Sequence, residues 1–137
     1  TTSVNAYRGI ITAPGKSLKI RAKAVKNLIL QMKDNNRKRT IQADSIHAEI
    51  QRSPYPVIVC GDFNDTPASY TYHRVKKGLT DGFQDVGNGY QYTFRQLYRL
   101  WRIDYVFYSN EFSGLTYISP ELFFSDHNMV IWRGKLQ

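Results

Sequence analysis

The chain has one cysteine, Cys60, so no disulfide can form within it. No apolar run approaches the roughly 18 residues that a membrane-spanning helix needs. The first residues, Thr1 to Tyr7, carry neither an initiating methionine nor the apolar core of a signal peptide, and the sequence reads as a piece of a longer protein. Nine glycines and five prolines are scattered rather than gathered into a linker, and there is no internal repeat or low-complexity tract. No serine or cysteine sits in a nucleophile setting such as Gly-x-Ser-x-Gly, which weighs against an Asp-His hydrolase of the serine type. Glutamate is scarce: Glu49, Glu111 and Glu121 fall on a helix, at a turn and beside Pro120.

What the chain does have is apolar mass. Of its 137 residues 42% are apolar, with ten Tyr, seven Phe and two Trp, enough to fill the core of one domain or of part of a larger one. The net charge of +8 is unevenly placed: residues 1 to 52 hold eleven Lys/Arg against Asp34, Asp44 and Glu49, whereas residues 53 to 137 hold eight of each sign. The basic stretch has helical periodicity, with Leu18, Ala22, Val25, Leu28, Ile29 and Met32 recurring behind a Ser17 cap. Asp34-Asn35-Asn36 breaks or bends it before a second helical run from Arg37 to Gln51. A stripe of Lys16, Lys19, Lys23, Lys26, Arg37, Lys38 and Arg39 would either draw polyanions such as nucleic acid or anionic lipid, or form an ordinary solvated face. His47 and His73 fall on helical surfaces and read as bystanders.

Beyond Ser53-Pro54-Tyr55-Pro56, which forbids helix, the segment from 53 to 137 is rich in strands. Val57-Ile58-Val59-Cys60 reads as a strand buried on both faces, with Cys60 an inert buried thiol. It leads into Gly61-Asp62-Phe63-Asn64-Asp65-Thr66-Pro67. On an extended backbone Asp62 and Asn64 project to one side and Phe63 into the core; Asp65 or Thr66 then caps a short helix near Ala68 to Val75. Both polar residues also suit plain turn chemistry. Gly87 to Arg95 reads as a turn and a strand. In Trp101-Arg102-Ile103-Asp104-Tyr105-Val106-Phe107-Tyr108-Ser109, alternation sets Trp101, Ile103, Tyr105 and Phe107 on one face and Asp104 on the other. A carboxylate in so apolar a strand needs a partner, and Arg102 and His127 are the candidates. A turn at Asn110-Glu111-Phe112 leads to a strand from Leu115 to Ile118. The third motif is Ser125-Asp126-His127-Asn128.

In this order and spacing the three motifs resemble the endonuclease/exonuclease/phosphatase superfamily of metal-dependent phosphoesterases. The resemblance runs from about Arg37 to Trp132, over what corresponds to the C-terminal half of that fold. It implies an α/β (α+β) chain forming half of a four-layer α/β/β/α sandwich: a mixed, mainly antiparallel sheet of four to five strands, helices on its outer face, and an apolar inner face left open to a dimer partner or to the missing N-terminal half. It further implies that Asp62 activates the attacking water, that Asn64 and His127 hold the phosphate as charge builds, that Asp104 orients His127, and that Asp126 ligates Mg²⁺ or Mn²⁺. Thr93, Phe94 and Arg95 would face the substrate cleft, with core packing equally open to Phe94. Nothing here matches the family's N-terminal metal ligands, so the chain alone is expected to bind metal weakly and to be inactive. The substrate would be a phosphate ester such as nucleic acid, a phosphoinositide or another phosphodiester. The rival reading is a non-catalytic binding or membrane-associated module on the same scaffold, and a membrane anchor could lie upstream.

Overall fold

A computed structural model describes residues 36–95 and 100–137. The basic helix expected over Leu18 to Met32 and the excursion at Gln96 fall outside the described residues. The chain forms two compact units, Thr1–Arg39 and Thr40–Gln137, and the second carries the motifs. Among the described residues no helix is long and apolar enough to cross a membrane.

The expected second helix is present as α1, residues 36–52. Ala43, His47 and Ile50 recur at helical spacing and face inward, so His47 is buried rather than a surface bystander, while His73 is exposed as expected. Burial pushes the His47 imidazole below its usual range. Strand β1 (Ile58–Asp62) follows, then helix α2 (Tyr70–Lys76), strand β2 (Thr80–Asp81), helix α3 (Gly82–Val86) and strands β3 (Asp104–Tyr108), β4 (Phe112–Ile118) and β5 (Ile131–Leu136). The cap of α2 is Ser69, whose hydroxyl accepts from Tyr72 N at 3.2 Å, so the helix begins later than a cap at Asp65 or Thr66 would set it. Asp44 ties α1 to α2, accepting from Tyr70 Oη at 2.8 Å and Arg74 Nε at 2.6 Å.

The five strands of the described residues form two antiparallel sheets, one ordered β1-β3-β2 and one pairing β4 with β5. β3 is central to the first and buried along most of its length, with Tyr105 and Phe107 packing on Ala43, Tyr72 and Val75. Phe63 does point into this core, its ring 5.2 Å from Tyr105 and 5.5 Å from Phe107. Among the described residues β1, by contrast, is an edge strand: Val59 is half-buried while Ile58 and Cys60 are exposed. The double burial expected for this run, and for Cys60 with it, is therefore not met, because strands with both faces covered lie inside a sheet. Trp101 is also exposed; the β3 ladder starts only at Asp104, so strand alternation does not reach back to it.

α3 joins the two sheets. Its first residue is Gly82, where an added Cβ would meet Trp132 Cδ1 at 2.9 Å and Tyr117 Cδ2 at 3.3 Å, so only glycine permits this approach. Tyr108 packs on Trp132 at 4.5 Å and its hydroxyl bonds Asp85. Burial pushes the Tyr108 and Tyr117 hydroxyls up to about 12 and those of Tyr72 and Tyr105 higher still. A folded-state value above the unfolded one gives stability that is complete below the ordinary tyrosine value of about 10 and is lost as pH rises through the folded value. Circular dichroism against pH, read beside tyrosinate absorbance, is thus expected to show the fold intact to about pH 10 and failing toward 12; unfolding well below pH 10 would contradict it.

Candidate functional site

Asp62 and Asp104 stand opposite each other in the β1–β3 register, one at the end of β1 and the other at the start of β3. Residues that share one end of neighbouring strands have fixed backbones and open side chains, a rigid base for chemistry. His127 comes from the loop before β5, and its Nδ1 lies 3.0 Å from Asp104 Oδ2. One ligand atom from each of Asp62, Asp104 and His127 can be chosen so that all lie within 4.8 Å of one another. The three line an open cleft of about 330 Å³ whose walls include Leu122, Ser125 and Met129.

Past Asp62 the backbone turns instead of staying extended. Asn64 adopts a left-handed φ of 50°, which asparagine tolerates better than most residues. Its N–H donates to Asp62 Oδ1 at 2.8 Å and its side-chain Nδ2 to Oδ2 at 2.9 Å. The turn chemistry and the proximity of Asn64 to Asp62 are therefore one arrangement, with the carboxylate held by the residue two places on.

Of the two candidate partners for Asp104, His127 holds the bond. Arg102 turns to Asp81, donating from Nη1 at 3.0 Å and Nη2 at 2.8 Å. Its side chain does not share the Asp104 face because residue 102 precedes the β3 ladder. Asp126 is next to His127 but is not one of the three clustered residues; its carbonyl accepts from Arg95 N at 2.8 Å. On the His127 side Ser125 Oγ accepts from His127 N at 3.1 Å, and the Phe94 ring lies 5.1 Å from the imidazole. The preceding Phe123 and Phe124 are exposed, at 90% and 88%.

Thr93 and Arg95 do not match the expectation of a cleft-facing strand. Gly87 to Arg95 contains no strand, only bridges from Phe94 to Trp101 and to His127. Thr93 is 0% exposed, its hydroxyl accepting from Ile103 N at 2.9 Å and Asp104 N at 3.0 Å. Arg95 is half-buried and its Nη1 donates to the carbonyls of Leu122 and of Ser125, the latter at 3.0 Å. Both are engaged with the protein's own backbone. Nothing in the run Tyr92-Thr93-Phe94 signals this, since a threonine between aromatics also fits a strand with one polar face. The cleft walls Leu122 and Met129 lie outside any motif, and only their closeness to His127 could have pointed to them.

A sequence model of the Endonuclease/Exonuclease/phosphatase family matches residues 14–127. Solved structures share the fold. An endonuclease/exonuclease/phosphatase from Bacteroides vulgatus is 25% identical with a TM-score of 0.63, over 72% of this chain and 44% of that one. A conserved protein of unknown function from Enterococcus faecalis V583 is 21% identical with a TM-score of 0.66, over 74% and 46%. A Bacteroides thetaiotaomicron protein described as a mannosyl-6-phosphatase is 22% identical with a TM-score of 0.56, over 71% and 44%. The chain thus spans less than half the length of these relatives. No curated protein matches it.

Proposed function

Because the chain belongs to the endonuclease/exonuclease/phosphatase family, whose members include hydrolases of phosphate esters, we propose that it carries the water-activating half of a phosphoesterase site. The observation that supports this most is the meeting of Asp62, Asp104 and His127 within 4.8 Å at one strand end. Asp62 takes the proton of the attacking water. The Asn64 amide, one of whose hydrogens goes to Asp62 Oδ2, donates the other to a phosphoryl oxygen. Asp104 holds the Nδ1 side of His127, which leaves Nε2 toward the cleft, where the protonated ring donates to the charge building on phosphorus. A binding module would have no need of this pairing.

The family is generally dependent on a divalent metal. With His127 kept as a hydrogen-bond donor, the carboxylates of this group leave a hard divalent ion short of the oxygen ligands it prefers. Asp104 and Asp126, with water, are the groups proposed to hold the ion, and Asp62 is left to take the proton. When bound, it supplies positive charge to a phosphoryl oxygen and acidifies water. The substrate is proposed to be a phosphate ester, and the partner to be the remaining half of the domain, with a second copy as the alternative cover for the sheet.

With so incomplete a shell, the 137-residue chain is expected to bind Mg²⁺ or Mn²⁺ no tighter than about millimolar and to hydrolyse no generic phosphodiester above background. In a protein of the relatives' full length, turnover is expected, and Asp62→Ala should abolish it. Calorimetric titration of the short chain and a phosphodiester assay of both test this. Unchanged turnover in the Asp62→Ala full-length protein would sink the phosphoesterase assignment; micromolar metal binding by the short chain would show that the shell is already complete.

A further inference from the structure

The Asp104–His127 contact joins two stretches that are far apart in sequence, and a third stretch is bonded to both. Toward Asp104, Thr93 N and Phe94 N each donate to Trp101 O at 3.0 Å, and the Thr93 hydroxyl accepts from Ile103 N and Asp104 N. Toward His127, Asn128 N donates to Thr93 O at 2.7 Å and Arg95 N to Asp126 O at 2.8 Å. The Arg95 guanidinium then reaches the carbonyls of Leu122 and Ser125.

We infer that Thr93 and Arg95 are positioning residues that hold Asp104 and His127 in register, rather than contacts to a substrate. The sheet explains the need. β2 supplies only Thr80 and Asp81, opposite Tyr108 and Phe107, so among the described residues no third strand runs beside the Asp104 end of β3. There the Asp104 N–H finds the Thr93 hydroxyl, whose two lone pairs receive two backbone donors. A buried N–H left without an acceptor is costly, so this hydroxyl fixes where β3 begins and how the Asp104 side chain leaves the backbone. The loop before His127 has no ladder bonds of its own between Pro120 and Ser125. Arg95 closes it by holding two of its carbonyls with one nitrogen. The segment from 93 to 95 thereby sets the distance across which the carboxylate meets the imidazole, and it does so whether or not the chain hydrolyses phosphate esters.

Nuclear magnetic resonance of the His127 ring, at one fixed pH and without metal, tests this. In the wild-type chain a single tautomer with the proton on Nδ1 and slow exchange of that proton are expected. Thr93→Val keeps the shape and removes the acceptor; Nδ1 proton exchange should quicken several-fold, up to about tenfold, the scale of one net hydrogen bond, and the second tautomer should appear. Thr93→Ser, which restores the hydroxyl, should return the wild-type signals. Arg95→Gln should shift the His127 signals in the same sense while the core ring signals of Tyr72 and Phe107 stay in place. A folded Thr93→Val or Arg95→Gln chain with His127 signals unchanged overturns the inference. If Thr93→Val does not fold, Arg95→Gln decides alone, and failure of that half-exposed variant to fold would make Arg95 a structural residue and overturn its assignment.

Discussion

Replacing Asp81 with alanine is expected to cost the fold about 3–5 kcal/mol, the scale on which one partner of a buried ion pair is lost. Asp81 is 1% and Arg102 7% exposed. The carboxylate accepts two bonds from Arg102, one from Tyr72 Oη at 2.7 Å and one from Phe83 N at 2.9 Å, the last capping α3. The guanidinium lies 4.7 Å from the Tyr105 ring centre and 4.9 Å from that of Phe83. Alanine would leave this cation buried among rings with its acceptor gone. Urea unfolding should show a lower midpoint at an unchanged slope, and joining Asp81→Leu to Arg102→Met should recover much of the loss, because a pair replaced by apolar groups leaves no stranded charge. A cost under about 1 kcal/mol, the scale of a solvent-exposed ion pair, would mean that Arg102 escapes to water.

The same pair predicts the acid limit. Burial pushes the Asp81 carboxyl up, but hydrogen bonds from Arg102 and Tyr72, the guanidinium charge and the Phe83 N–H outweigh it, so its folded value lies below the usual one. A lowered carboxylate stabilises fully above the unfolded value of about 3.9 and loses that contribution as pH falls below it toward the folded value. Melting temperature is therefore expected to hold through mildly acid buffers and to drop below about pH 4, with Asp81→Asn flattening the drop.

Asp81 was not singled out by the sequence, whereas Asp104 and His127 were, and the difference is physical. Asp104 lies in an apolar strand, where an unpaired carboxylate is conspicuous, and Ser125-Asp126-His127 is one of the three motifs whose order and spacing resemble the family. Asp81 sits in Leu79-Thr80-Asp81-Gly82, indistinguishable by sequence from any helix cap, and its partner is chosen by a fold that brings residue 102 against residue 81. Helix α1, strands β1, β3 and β4 and the inward turn of Phe63 were legible because periodicity and breakers act locally, whereas β2 and β5 were not read and the strand expected within Gly87 to Arg95 is not there. The exposure of Cys60 was not, since an edge strand and a central one can share an apolar run and only the neighbours decide. Thr93 was misplaced for a related reason: its hydroxyl takes up backbone donors where, among the described residues, no strand runs beside Asp104, and where a sheet ends is a property of the whole fold.

In the whole protein, Asp104→Asn is expected to lower kcat by at least about a hundredfold, the scale of a lost proton-transfer group, with the melting temperature little changed. Asparagine matches the shape of Asp104 and can still reach His127 across the 3.0 Å contact. What it loses is charge: the amide no longer favours a proton on Nδ1 or stabilises the protonated ring, so the imidazole is free to turn to the other tautomer. The fold should not suffer, because Arg102 is neutralised by Asp81 and does not depend on Asp104. Two outcomes separate the roles open to this carboxylate. If Asp104 acts through His127, raising Mn²⁺ leaves the variant slow; if it acts by holding the ion, raising Mn²⁺ restores much of the rate, since an amide oxygen is only a weaker ligand. Wild-type turnover at low metal would leave Asp104 with neither role. His127 would then have to be oriented by Phe94, packed against its ring, and by Ser125, bonded to its backbone N–H, neither of which carries a charge to stabilise an imidazolium.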